Sequence, residues 1–192
     1  MKDNIVKFPN EYRDIEQETL KMGFDQSSDG KIGAILEMLC ASKINGKFLE
    51  LGTGTGLCTS WILKGMDDQS RLLSVENEEG VLSIARKHLG SDSRVEFICE
   101  DGENVISRLE PKSFDVVFAD TWPGKYNHLS ETLKLLKVGG FYVIDDMLPQ
   151  ENWPEGHDIK ASRLLETLEQ NDDLTLVKMC WSTGILIAVR NA

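Results

Sequence analysis

The segment Phe48-Leu49-Glu50-Leu51-Gly52-Thr53-Gly54-Thr55-Gly56 decides the fold. Its first four residues form a short, mostly apolar run of strand length, and Leu57 to Gly65 continues as a helix-like stretch. Between them lie three alternating glycines, which permit unusual backbone torsions and the close approach of a ligand. The spacing is GxGxG. Position 57 is Leu, so the third glycine of the dinucleotide fingerprint GxGxxG is missing. No Gly-Lys-Ser/Thr follows, which excludes a P-loop.

Further strand candidates are Leu72 to Val75, Val95 to Cys99, Phe114 to Ala119, Phe141 to Ile144, Leu174 to Met179 and Ile185 to Val189. Helix-like segments fall near Glu79 to Leu89, Glu103 to Leu109, Asn127 to Leu136 and Ile159 to Glu169. This alternation predicts βαβ units with right-handed crossovers. The final two strands are joined by Trp181-Ser182-Thr183-Gly184, too short for a parallel crossover, and are expected to pair as a hairpin. The expected fold is therefore α/β, a Rossmann-like, seven-stranded, mostly parallel sheet with a C-terminal antiparallel hairpin and helices on both faces.

Two helices are expected before the first strand, Glu11 to Met22 and Asp29 to Ser42, with Asp29 as N-cap and Asn45-Gly46 as the turn into the sheet. No linker or repeat divides the 192 residues, so one domain over 1–192 is expected, residues 1–45 forming a helical cap or lid. Acids outnumber bases 32 to 21, a net charge of −11, which argues against nucleic acid and anionic membrane surfaces as partners. The N-terminus has no apolar core of signal-peptide length, and no run approaches the roughly 18 apolar residues that span a bilayer. A cytoplasmic protein is expected. Cys40, Cys58, Cys99 and Cys180 form no CxxC pair and read as buried free thiols rather than a disulfide framework or zinc site.

Nearly every expected parallel strand ends at an acid. Glu76 follows the second strand, Glu100-Asp101 the third, Asp120 the fourth and Asp145-Asp146 the fifth, while Glu50 lies within the first. Ligands of open α/β sheets bind outside the carboxyl ends of the strands, so these residues should converge on one edge. Singly, each acid is explained equally well as a turn residue or helix cap. Together they form a concentration of like charge that calls for a cationic ligand or metal.

With its acid-GxGxG segment, the chain resembles the class I S-adenosylmethionine-dependent methyltransferases. Phe114-Asp-Val-Val-Phe-Ala-Asp-Thr-Trp122, Tyr126 and Leu135-Leu-Lys-Val-Gly-Gly-Phe-Tyr-Val-Ile-Asp-Asp146 make it similar, more narrowly, to the catechol O-methyltransferase-like, metal-dependent enzymes. The resemblance runs from about Gln26 to the C-terminus. It implies S-adenosylmethionine as cofactor, with Glu76 on the ribose hydroxyls, Gly52 and Gly54 against the methionine portion and Glu50 beneath the loop. Asp101 and Gly102 would serve the adenine edge, Trp122 the adenine face, and Asp120 would border the cofactor.

The same resemblance implies that Asp120, Asp145 and Asp146 hold Mg²⁺ or another divalent cation, for which an all-oxygen set is suited. Asp146 stands where relatives carry Asn. Pro123 stands where related catechol enzymes carry a lysine that assists deprotonation. Asp120, Lys125 and His157 are thus the catalytic candidates, with His128 a weaker one expected on a surface helix. Phe8, Tyr12, Met22, Phe24 and the Asn152-Trp153-Pro154 stretch are candidates to cover an apolar acceptor or to pack as ordinary core.

The expected function is O-methylation of a small hydroxylated, catechol-like or other aromatic acceptor. Alternatives are methylation of a hydroxylated tRNA wobble uridine, a non-catalytic S-adenosylmethionine-binding protein, and, against the glycine spacing, an NAD-dependent oxidoreductase. A homodimer is compatible with the resemblance, although no interface is legible.

Overall fold

A computed structural model of the chain describes residues 7–150 and 153–192. The elements run α1 (Tyr12–Met22), α2 (Gly30–Ala41), β1 (Lys47–Leu51), α3 (Leu57–Gly65), β2 (Arg71–Glu76), α4 (Glu79–Leu89) and β3 (Val95–Cys99). They continue α5 (Gly102–Arg108), β4 (Phe114–Ala119), α6 (Leu129–Leu135), β5 (Leu136–Ile144), α7 (His157–Glu169), β6 (Leu174–Met179) and β7 (Ile185–Arg190). The strands form one sheet in the order β3-β2-β1-β4-β5-β7-β6. The first five are parallel, and β7 enters antiparallel between β5 and β6. The expected fold is the observed one. Among the described residues no helix is long and apolar enough to cross a membrane.

Alternation along the central strands divides the core into two layers. Phe48, Val116, Phe118 and Val143 face the layer that contains α1, α2 and α3. Leu49, Leu51, Val117, Ala119, Tyr142 and Ile144 face the layer under α5, α6 and α7. Asp29 caps α2, its carboxylate accepting from the Lys31 and Ile32 amides at 2.7 and 3.3 Å, as expected for an Asp before an apolar stripe. Helices α2 and α3 approach closely because Gly33 lies against the buried Trp61 indole and Gly65 against the Glu37 carbonyl.

Two boundaries differ from expectation. Strand β5 begins five residues early, at Leu136, through an irregular register between Phe114 and Val116 that Gly139, at φ +77°, accommodates. Helix α6 starts late because Asn127 closes a turn, its carbonyl accepting from the Gly124 amide at 2.7 Å, and His128 adopts φ +54°. Of the cysteines, Cys40 and Cys58 are buried free thiols as expected, while Cys99 and Cys180 are exposed. Cys99 lies on β3, an edge strand with only one neighbour, which explains its exposure.

The glycine loop is fixed from below by side chains of three elements. Glu50 of β1 is fully buried, and its Oε2 accepts from Thr59 of α3 at 2.6 Å and Ser74 of β2 at 2.5 Å. Thr53 of the loop reaches Ser74 at 2.6 Å. Thr55 pairs with Thr19 of α1 at 2.7 Å, fastening the N-terminal helices to the same loop. Glu50 Oε1 has no partner, and burial pushes the Glu50 carboxyl up to about 8.

Two stability effects follow from this packing. Gly33→Ala forces a methyl into the Trp61 ring, and about 1–3 kcal/mol of unfolding free energy should be lost in a urea titration. For Glu50, a folded-state value raised from 4.5 means that its contribution is fully present below pH 4.5 and is lost as pH rises through about 8. Each unit is worth about 1.4 kcal/mol, so wild type should lose on the order of a few kcal/mol between pH 5 and 8.5. Melts of Glu50→Gln over the same range should be markedly flatter; a slope equal to that of wild type would show that Glu50 is not the titrating group.

Candidate active site

A cavity of about 430 Å³ opens at the carboxyl ends of β1, β2, β4 and β5. It lies at the point where the strand order reverses between β1 and β4, the place an open α/β sheet offers a ligand. The glycine loop forms its floor. Gly52, at φ +97°, passes so near β4 that a Cβ there would sit 2.9 Å from the Asp120 carbonyl oxygen. Only glycine combines that torsion with that approach.

On one flank, Glu76 ends β2 with its carboxylate in the cavity. It accepts from the Gly54 amide at 2.9 Å and from the Asn77 and Glu78 amides at 2.9 and 3.1 Å, which hold it at the loop's edge. On the other flank, Asp120, Asp145 and Asp146 come together, one oxygen of each lying within 4.8 Å of the others. Asp120 accepts from Ser28 Oγ at 2.7 Å and lies beside Asp145. Burial raises both carboxyls, that of Asp145 well above the carboxylate range, with mutual repulsion adding to the effect on Asp145. Asp145 Oδ1 is buried without a partner. Asp146 adopts φ +52°, and its amide donates to Thr183 Oγ1 at 3.3 Å from the β6–β7 turn.

Lys125 is buried rather than solvated, and its Nζ donates to the Asp145 carbonyl oxygen at 2.6 Å from the cavity wall. Beside it, Tyr126 and His157 meet through the phenol oxygen and Nε2 at 3.0 Å. Burial, with Lys125 and Lys160 nearby, lowers His157 below the usual imidazole value. Trp153 and Trp122 flank that ring with centroids 4.6 and 6.1 Å away. Trp122 is 43% exposed, which sets it apart from the core tryptophan Trp61.

Thus Gly52, Gly54, Glu76, Asp120, Trp122, Lys125, Asp146 and His157 all line the cavity, and Asp145 lies directly behind it. Glu50 sits beneath the loop, as expected, and does not reach the cavity wall. Asp101 and Gly102 are not brought in. The Asp101 carboxylate is taken by the start of α5, accepting from the Glu103 amide at 2.8 Å, and Gly102 packs on Pro123. His128 faces Glu103 and Glu131 on the surface. Phe8 and Tyr12 stack with Trp61 in the core instead of covering the cavity, and Met22 is half-exposed away from it. Phe24, Trp153 and Pro154 do line it, while Asn152 lies outside the described residues.

Ser28 and Thr183 were not legible as site residues, whereas Gln150 begins the loop after the fifth strand in which acceptor contacts are expected. Ser28 touches Asp120 across 92 positions of sequence, and a serine ahead of an N-cap carries no mark of that contact. For Thr183 the signal was the hairpin itself, which had to return beside β5 for its turn to reach Asp146.

Comparison with known proteins agrees with this architecture. The family described as a methyltransferase domain matches residues 49–147, just over half of the chain. A Mycobacterium marinum protein provisionally named an O-methyltransferase is 28% identical over 170 residues, covering 83% of this chain and 76% of its own. Among solved structures, the O-methyltransferase TomG of Streptomyces achromogenes, involved in tomaymycin synthesis and solved with S-adenosylmethionine, superposes with TM-score 0.84 at 21% identity, over 98% of this chain and 92% of its own. An O-methyltransferase of Bacillus cereus, solved with S-adenosylhomocysteine, gives 0.81 at 18% identity, over 98% and 94%. The chain belongs to the methyltransferase domain family.

Proposed function

We propose that the chain methylates a hydroxyl oxygen of a small aromatic acceptor, with S-adenosylmethionine as donor and a divalent cation assisting. The observation that carries this reading is the convergence of Asp120, Asp145 and Asp146 in the cavity that also holds the glycine loop and Glu76. The residues fit a cation. Their donors are all oxygens, the unpaired Asp145 Oδ1 is an acceptor in need of a partner, and burial disfavours the charged form of these carboxyls unless positive charge offsets it. The cation, when bound, supplies a Lewis acid that lowers the pKa of the acceptor hydroxyl and orients it.

The chain's own side chains do the remaining work. Glu76 is held where it can accept from the ribose hydroxyls, Gly52 and Gly54 admit the methionine portion, and Trp122 offers an indole face to the adenine. Lys125 takes the part of the lysine that Pro123 displaces. Its buried ammonium, anchored on the Asp145 carbonyl, stabilises negative charge developing on the acceptor oxygen. Tyr126, Trp153 and His157 form a wall against which a planar acceptor is oriented, with Phe24 over the glycine loop. Methylation of tRNA is disfavoured because Asp25, Glu76, Glu78 and Asp146 around the cavity would repel phosphates.

Calorimetry should show S-adenosylhomocysteine binding, and EDTA should suppress turnover of a catechol acceptor. Asp145→Ala should lower the metal-dependent rate by on the order of 100-fold or more; a variant as fast as wild type would remove the three aspartates from the chemistry. Lys125→Met should reduce kcat by roughly 100-fold with S-adenosylhomocysteine affinity unchanged, the size expected for loss of one charge-stabilising group. An unaltered kcat would make Lys125 a purely structural residue.

A further inference from the structure

Methyl transfer to a hydroxyl oxygen releases a proton, and a group at the cavity must take it. Asp120 and Asp146 are committed to the cation in the reading above, and the Glu76 carboxylate already accepts from three amides. Lys125 donates to the Asp145 carbonyl oxygen, so its ammonium has no lone pair to offer. Asp25 and Glu78 are exposed, and a carboxylate of ordinary pKa about 4 is a weaker base than an imidazole of about 6.5. His157 is the base that remains on the cavity wall.

Its Nδ1 is buried without a partner and leads nowhere. Its Nε2 lies 3.0 Å from the Tyr126 phenol oxygen. Burial, with the charges of Asp146 and Asp145 adding, pushes the Tyr126 phenol up to about 12, so it keeps its proton. Among the described residues that oxygen has no second hydrogen-bond partner, which leaves a lone pair for an acceptor hydroxyl. Both rings are held in place. The Tyr126 amide donates to the Trp122 carbonyl at 2.9 Å, the His157 amide donates to the Pro154 carbonyl at 3.1 Å, and the Trp153 ring centroid lies 4.6 Å from that of the imidazole.

Resting on the reading above, we propose that Tyr126 and His157 form a proton relay, in which Tyr126 takes the acceptor hydroxyl proton while passing its own to His157 Nε2. The acceptor oxygen uses the freed electron pair to bond the methyl group, and the bond from that methyl to sulfur breaks with its electrons returning to the sulfonium. One positive charge disappears at sulfur and one appears on the imidazole. Tyr126 is the catalytic residue, because it touches the acceptor; His157 acts through it. Burial, Lys125 and Lys160 outweigh Asp146 and Asp158 in lowering His157, which favours the unprotonated ring from which the relay starts. With Nδ1 closed off, the proton returns through Tyr126 to water once the product has left.

Turnover of catechol by the full chain with saturating S-adenosylmethionine and Mg²⁺ tests the relay. Tyr126→Phe keeps the ring and should lower kcat about 100-fold, the size expected for one acid-base group, with S-adenosylhomocysteine affinity by calorimetry within about twofold. His157→Gln should cost a similar factor, and the double variant no more than either single one, because the two residues act as a unit. Wild-type kcat should fall as pH drops through the lowered His157 value, below about 6.5, and in His157→Gln that fall should move to lower pH. Independently of turnover, nitrogen NMR of the ring at about pH 8, with the His157 signals assigned by their loss in His157→Gln, should show Nδ1 protonated and Nε2 bare. An unaltered kcat in Tyr126→Phe, losses that multiply in the double variant, an unmoved low-pH fall in His157→Gln, or a ring proton on Nε2 would each overturn the relay and leave the methylation standing. If the wild type binds S-adenosylhomocysteine and does not methylate catechol, the proposed reaction falls and the relay with it.

Discussion

A carboxyl group at the centre of the sheet holds the site together. Glu50 is the one ionisable side chain among the otherwise apolar inner residues of β1, and its two hydrogen bonds join the central strand to β2 and α3 directly beneath the glycine loop. Through Ser74 the same network reaches Thr53 and so sets the height of the loop over the strand ends. Burying a carboxyl with one oxygen unpaired costs stability, and apolar residues of similar volume would make a more stable layer. What the arrangement provides is position: Gly52 against Asp120 and Gly54 against Glu76 both depend on it.

The fold was legible because the central strands are buried on both faces and read as apolar runs, while the helices between them carry amphipathic stripes. Strand-end acids could be assigned to one edge by topology alone, since parallel strands all finish on the same side. Asp101 shows the limit of that inference. It obeys the strand-end rule, yet the helix behind it begins at the next residue and claims the carboxylate. Lys125 is the opposite case, a candidate whose inward path the sequence left open beside a solvated one. A lysine in a Pro-Gly turn looks solvated, and its inward path exists because Trp122 accepts hydrogen bonds from the Lys125, Tyr126 and Asn127 amides and curls the turn toward β5. Such three-dimensional turn geometry has no periodic signature in sequence.

The net charge of −11 now separates into different populations. Several acids are spent on surface pairs, Glu100 with Arg108, Glu79 with Arg86 and Asp115 with Lys137 among them. Such pairs add little stability each. The acids at the cavity are different, because Asp120 and Asp145 are withdrawn from solvent and lie beside one another. Their ionisation requires positive charge close by, and the buried Lys125 ammonium supplies part of it.

The insertion of β7 between β5 and β6 also bears on the order in which the molecule matures. Until β7 docks, β5 is a bare edge, and the turn that offers Thr183 to Asp146 is not in place. Chains emerge from the ribosome N-terminus first, so the parallel half can assemble while this wall of the cavity is still unsynthesised. Thr183, which the Asp146 amide reaches at 3.3 Å, thus becomes available to the pocket only once the last turn of the sheet has been synthesised.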